Sequence, residues 1–189
     1  MRKQKGFSLI ELLIVVAIIL IIAAIAIPNL LRARMAANDS GAASTIRTVN
    51  TAEVTYTTNF PSLGYATNLS DLGPGPAPGV DCTQAANVGP NSACLVDGNV
   101  GCNVAGPCPK SGYNYFYAPG APAAGTTVVP QYTISAGPIG WNTTGTKNWC
   151  STADAVVRMS GQVQGSTGSV TTAVDPTTCN TPPLWVPSQ

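Results

Sequence analysis

Histidine is absent from this chain of 189 residues. That removes the commonest general base and the commonest transition-metal ligand together, along with the triads and haem-attachment motifs that need one. Charge is scarce too: Asp, Glu, Lys and Arg make up 9% of residues, against about 25% in ordinary soluble domains. From Pro61 to Gln189 the basic residues are Lys110, Lys147 and Arg158, and the acidic ones Asp71, Asp81, Asp97, Asp154 and Asp175. So thin a charge gives no electrostatic footprint for phosphate backbones, and no nucleic acid is expected on this region. There is no GxSxG elbow, no Walker or GxGxxG loop and no close carboxylate pair beyond residue 60. The many serines and threonines have no partner base. Neither an enzymatic activity nor a cofactor is expected.

What the chain does have is a long apolar run. From Phe7 to Leu31 the only ionisable side chain is Glu11. At about 1.5 Å per residue, a helix of that length crosses about 30 Å of hydrocarbon with some tilt. Ahead of it, MRKQKG supplies Arg2, Lys3 and Lys5, which argue for a cytoplasmic N-terminus, although Arg32 and Arg34 beyond the run reduce the asymmetry. The run is longer than the apolar core of a secretory signal and ends in no A-x-A-like site. Two residues sit oddly in a plain anchor. Glu11 costs about 2.5–3.5 kcal/mol on insertion scales, so an intramembrane carboxylate is a functional residue by default. Pro28 removes a backbone donor, and a kink or local melting is expected there.

Lys5-Gly6-Phe7-Ser8-Leu9-Ile10-Glu11 followed by unbroken aliphatics resembles the class III signal sequence of type IV pilins and type II secretion pseudopilins. The resemblance implies that a prepilin peptidase cleaves between Gly6 and Phe7 and methylates the Phe7 amine. It also implies that Glu11 is the family's assembly glutamate, and that Pro28 is the proline found in many of these membrane segments. The physical chemistry agrees: cleavage creates an α-amine with an ordinary pKa of about 7.7–8.0. Phe7 and Glu11, four apart, share a helix face and can pair within a subunit. Paired between subunits, they fix an axial register, because a buried unpaired charge penalises every other one. The plainer reading of Glu11 is a carboxylate that favours the helix N-terminus.

Past Leu31 the pattern turns amphipathic. Ala42, Ile46, Val49, Tyr56 and Phe60 form a stripe, with Glu53 in its one missing place, and Asp39, Ser40, Arg47, Asn50 and Thr57 lie opposite. This predicts a continuing helix seated on another element and ending near Asn59–Pro61. From Pro61 to Gly112 the sequence is loop-like, with GPGPAPG at residues 73–79 excluding helix and central strand. Strands are expected at Tyr113–Ala118, Val128–Ile134 and Ala155–Met159, with Pro130 forcing its strand to an edge or a late start. Such strands make an antiparallel sheet that takes the helix on one face. Trp141, Trp149 and Trp185 are expected as packing anchors rather than binding aromatics.

The six cysteines, Cys82, Cys94, Cys102, Cys108, Cys150 and Cys179, all follow the helical region. An even number in an exported segment, with no CxxC pair and no histidine, predicts disulfides rather than a metal site. Spacing leaves the pairing of the first four open. Cys150 and Cys179 resemble, in position, the pair that bounds the C-terminal region of type IV pilins.

The chain thus reads as an α+β subunit: leader 1–6, membrane and assembly helix 7–31, amphipathic continuation 32–60, extracytoplasmic head 61–189. The resemblance implies a pilin that polymerises with copies of itself into an extracellular filament for motility, adhesion or DNA uptake. Its partners would be the prepilin peptidase, the inner-membrane assembly machinery and, before assembly, the lipid bilayer of the inner membrane. The alternatives are a pseudopilin in a periplasmic secretion pseudopilus and, more remotely, a membrane-anchored ligand-binding domain.

Overall fold

A computed structural model describes residues 8–75, 82–84, 87–102, 107–160, 168–181 and 185–188. Helix α1 (Leu9–Asn59) runs unbroken for 51 residues with Pro28 inside it, about 76 Å at the standard rise. It stops where the sequence says it should. Pro61 disfavours helix in the residue before it, and the Phe60 N–H closes the last turn on the Tyr56 carbonyl at 2.8 Å.

After α1 come a one-turn helix α2 (Leu69–Leu72), strands β1 (Cys108–Lys110), β2 (Tyr113–Pro119), β3 (Tyr132–Pro138), β4 (Asn148–Thr152) and β5 (Arg158–Ser160), a short helix α3 (Pro176–Cys179), and strand β6 (Val186–Pro187). The strands form one sheet in chain order β1-β2-β3-β4-β5-β6, every pair antiparallel. The fold is α+β, a meander with a long helix laid across it. The β1–β2 turn places Ser111 and Gly112 at φ 50° and 78°, the double left-handed geometry of a tight two-residue hairpin. A Cβ on Gly112 would also stand 2.9 Å from the Asn38 amide nitrogen.

Each face of the sheet is covered. On one, Tyr113, Tyr115, Ile134, Ala136 and Trp149 pack with Ala42, Ile46, Val49, Ala52 and Tyr56 of α1. On the other, Cys150, Cys179, Val170 and Trp185 form a second small core, with Phe116 and Val174 against it. Trp149 and Trp185 are buried and Trp141 half-buried.

Several strand expectations need correcting. The second strand begins at Tyr132, not Val128, because Pro130 has no N–H to give a ladder. Val129 instead bridges the α1–β3 connection: its N–H donates to the Leu63 carbonyl at 2.8 Å, and its carbonyl accepts from Tyr65 N–H at 3.1 Å. Having started late, β3 is central and not an edge. The third expected strand is displaced to Arg158–Ser160, since Ala155 turns the chain at φ 58°. β1, β4 and β6 lacked a period-two signal.

Candidate functional site

Sequence and structure divide α1 into two halves of opposite character. From Leu9 to Leu31 not one residue is buried against the rest of the chain. Every large apolar side chain from Leu9 to Leu31 stands more than two-fifths exposed. From Asp39 onward the helix is seated on the sheet, with Asp39, Ala42, Ala43, Thr45, Ile46, Val49, Asn50, Ala52, Glu53 and Tyr56 buried. The head therefore holds a bare apolar rod about 33 Å long, which matches the hydrocarbon thickness of a bilayer. An apolar surface of that size needs lipid or other copies of itself to cover it.

Glu11 lies in the first turn of the rod. Ser8 is the N-cap, and its backbone N–H donates to Glu11 Oε2 at 3.0 Å. The carboxylate thus satisfies an orphan donor and sits at the positive end of the helix dipole. It remains exposed, so its other oxygen is open to a cation from elsewhere. Gly6 and Phe7, the expected cleavage and methylation positions, lie outside the described residues.

The second half of α1 is fastened by polar groups as much as by apolar ones. Asp39 and Asn50, expected on the solvent face, are buried, and each meets a sheet tyrosine. Asp39 Oδ1 accepts the Tyr113 hydroxyl and the Thr146 N–H (3.1 Å), while Oδ2 takes the Thr146 hydroxyl at 2.9 Å. Gly145 lets the chain pass this pair; a Cβ there would fall 2.3 Å from the Tyr113 hydroxyl. Asn50 donates to Ser151 Oγ (2.9 Å) and accepts from the Tyr132 hydroxyl (3.0 Å). Glu53, fully buried, accepts from Ala66 N–H (3.1 Å) and from the Tyr117 hydroxyl (2.5 Å). Burial pushes the Glu53 carboxyl up to about 7 even against those two hydrogen bonds. Burial also raises the Tyr113, Tyr117 and Tyr132 hydroxyls, which therefore stay protonated as donors. Three polar side chains of the helix thus each receive one tyrosine hydroxyl from β2 or β3. The sequence signal was the Tyr113-x-Tyr115-x-Tyr117 alternation, which faces three ring-bearing residues to the helix, though not which acceptor each would find.

Disulfides close the loops of the head: Cys82–Cys94, Cys102–Cys108 and Cys150–Cys179. The last ties β4 to the end of α3 and pins the C-terminal segment over the sheet's second face.

Residues 1–27 match the model of the prokaryotic N-terminal methylation motif. The chain is 39% identical over 102 residues to the type IV wide pilus major component PilA4 of Thermus thermophilus, covering 53% of this chain and 78% of that protein. It is 44% identical over 54 residues to the type IV major pilin protein PilA of Myxococcus xanthus, covering 29% of this chain and 24% of that protein. No solved structure gives a significant match.

Proposed function

The chain belongs to the type IV pilin family, and we propose that it is a structural subunit of a type IV pilus, polymerising through α1 into an extracellular filament. The observation that carries this reading is the uncovered apolar half of α1 projecting from a disulfide-closed head. Such a rod has two successive apolar environments, the membrane and the interior of a helix bundle, and the same Ile, Leu, Val and Ala surface suits both. The precursor is stored in the inner membrane with its head outside. A prepilin peptidase removes residues 1–6 between Gly6 and Phe7 and methylates the Phe7 amine. Glu11 of an arriving subunit then meets the Phe7 amine of a subunit already in place, which sets the axial step. Pro28, which the isolated subunit carries inside an unbroken helix, is where α1 yields on packing.

The filament serves motility, adhesion or DNA uptake. The relatives' names, both of pilus components, favour a pilin over a pseudopilin. The test is to shear filaments from the producing cells and sequence the polypeptide in them. The expected result is this chain as an abundant component beginning at N-methyl-Phe7. Its absence from sheared fibres, with full-length chain in the membrane, overturns the proposal.

A further inference from the structure

A cleft of about 540 Å³ runs between α1 and the loop leading into β4, and Arg32, Arg47 and Lys147 all line it. In a chain with so few charges this is a marked concentration. Asp39 lies on the floor, but its oxygens are occupied by Tyr113 and Thr146. At the upper end Arg47 reaches Ser188 Oγ at 3.5 Å. Lys147 holds its ammonium 5.8 Å from the centre of the Trp149 ring.

Among the described residues no ion pair takes up a cation of the cleft; the pairs are Lys110–Asp97 and Arg158–Asp154. Glu53 and Asp71 are buried and hydrogen-bonded. Asp175 is folded back on Thr178, whose N–H and hydroxyl it accepts at 2.9 and 2.6 Å. Of the described carboxylates this leaves Glu11, and in a copy inserted in parallel it lies about 32 Å along the helix from Arg32, across the bilayer from the cleft.

Position supplies the other half of the argument. Arg32 directly follows the apolar run, and the polar layer of a bilayer extends about 5–8 Å beyond the hydrocarbon on each side. Asp39, beside which the Lys147 loop is fastened, lies about 10 Å further along the helix. Lysine's flexible four-carbon stem spans much of that gap. We propose that the lower end of this cleft, between Arg32 and Lys147, holds the phosphate of an anionic phospholipid headgroup while the subunit waits in the membrane. The guanidinium provides a fork matched to phosphate oxygens and the ammonium a second charge above it. This rests on the reading that α1 spans the bilayer before assembly. Its consequence is a subunit held at fixed depth and rotation, losing one lipid contact on extraction.

Arg34 makes the test specific. It lies at nearly the same depth but outside the cleft, so it reports generic attraction to an anionic surface. The full chain is placed in nanodiscs of phosphatidylcholine with a minority of phosphatidylglycerol, and retained lipids are counted by native mass spectrometry. The wild type is expected to retain phosphatidylglycerol preferentially, with R32Q and K147Q each lowering that preference about fivefold and R34Q leaving it unchanged. Equal losses in R32Q and R34Q, or no preference in the wild type, overturn the site. So does full displacement by inorganic phosphate at matched ionic strength, which would make the ligand a free anion. If R32Q/K147Q loosens sheared filaments without changing lipid retention, the occupant is a second copy and the proposal falls. A chain that fails to enter nanodiscs at all refutes the membrane-storage reading itself, a separate and recognisable failure.

Discussion

The Tyr117 hydroxyl of β2 donates a 2.5 Å hydrogen bond to Glu53 of α1 inside the closed core of the head. Ala66 N–H supplies the second donor to the same carboxylate. These bonds join helix, sheet and the first loop at one point, yet they do not offset the loss of water: the carboxyl titrates near 7, raised from 4.5.

The sign of the pH dependence follows. Between about 4.5 and about 7 the folded chain holds a proton on Glu53 that the unfolded chain has released, so stability falls as pH rises through that window and is flat above it. The full cost of charging the group is about 3 kcal/mol. Thermal unfolding midpoints are expected to fall from mildly acid to neutral pH in the wild type. In Glu53→Gln that slope should vanish, with stability above neutral pH at least equal to wild type. An unchanged slope in Glu53→Gln would assign the dependence elsewhere.

Asp39 fastens the foot of the head. Asp39→Ala strands the Thr146 N–H, at a cost of about 1–3 kcal/mol for a buried group left unpaired, and leaves the Tyr113 hydroxyl only the Lys147 carbonyl at 2.9 Å. Asp39→Asn keeps an acceptor oxygen and is expected to lose less. Urea unfolding followed by tryptophan fluorescence checks the order; equal stability of Asp39→Ala and wild type would contradict it.

The disulfides should differ in worth by the loops they close. Their sequence separations are 29 for Cys150–Cys179, 12 for Cys82–Cys94 and 6 for Cys102–Cys108. Chain-entropy arguments give about 3.6, 2.9 and 2.4 kcal/mol respectively. Paired Cys→Ser variants measured by denaturant titration are expected to rank in that order, and the Cys150→Ser/Cys179→Ser variant should also free the segment that covers the second face. Greater loss from Cys102–Cys108 than from Cys150–Cys179 would contradict the ranking.

The parts of this molecule written in local sequence were the legible ones. The apolar run, the end of α1 at Phe60 and the strand at β2 all depend on near neighbours. β4 was hidden because both its faces are buried: Asn148-Trp149-Cys150-Ser151-Thr152 carries polar residues inward, with Asn148 accepting from Val170 N–H at 2.9 Å. A period-two signal needs one face in water. Asp39 and Asn50 were assigned to solvent for the same reason. Their partners lie 74 and 82 residues away, and nothing in a helical stripe announces a tyrosine hydroxyl arriving from another element.

The central claim is that α1 assembles subunits and that Glu11 sets their register. Glu11→Ala removes a charge from the apolar run, so membrane insertion should be unchanged or improved, while the Ser8 N–H loses its acceptor only at an exposed helix end. The decisive measurement is the amount of this polypeptide in sheared filaments relative to the membrane pool, in Glu11→Ala against wild type. A depleted filament fraction beside an intact membrane pool is the predicted result; normal filament yield from Glu11→Ala would contradict the account.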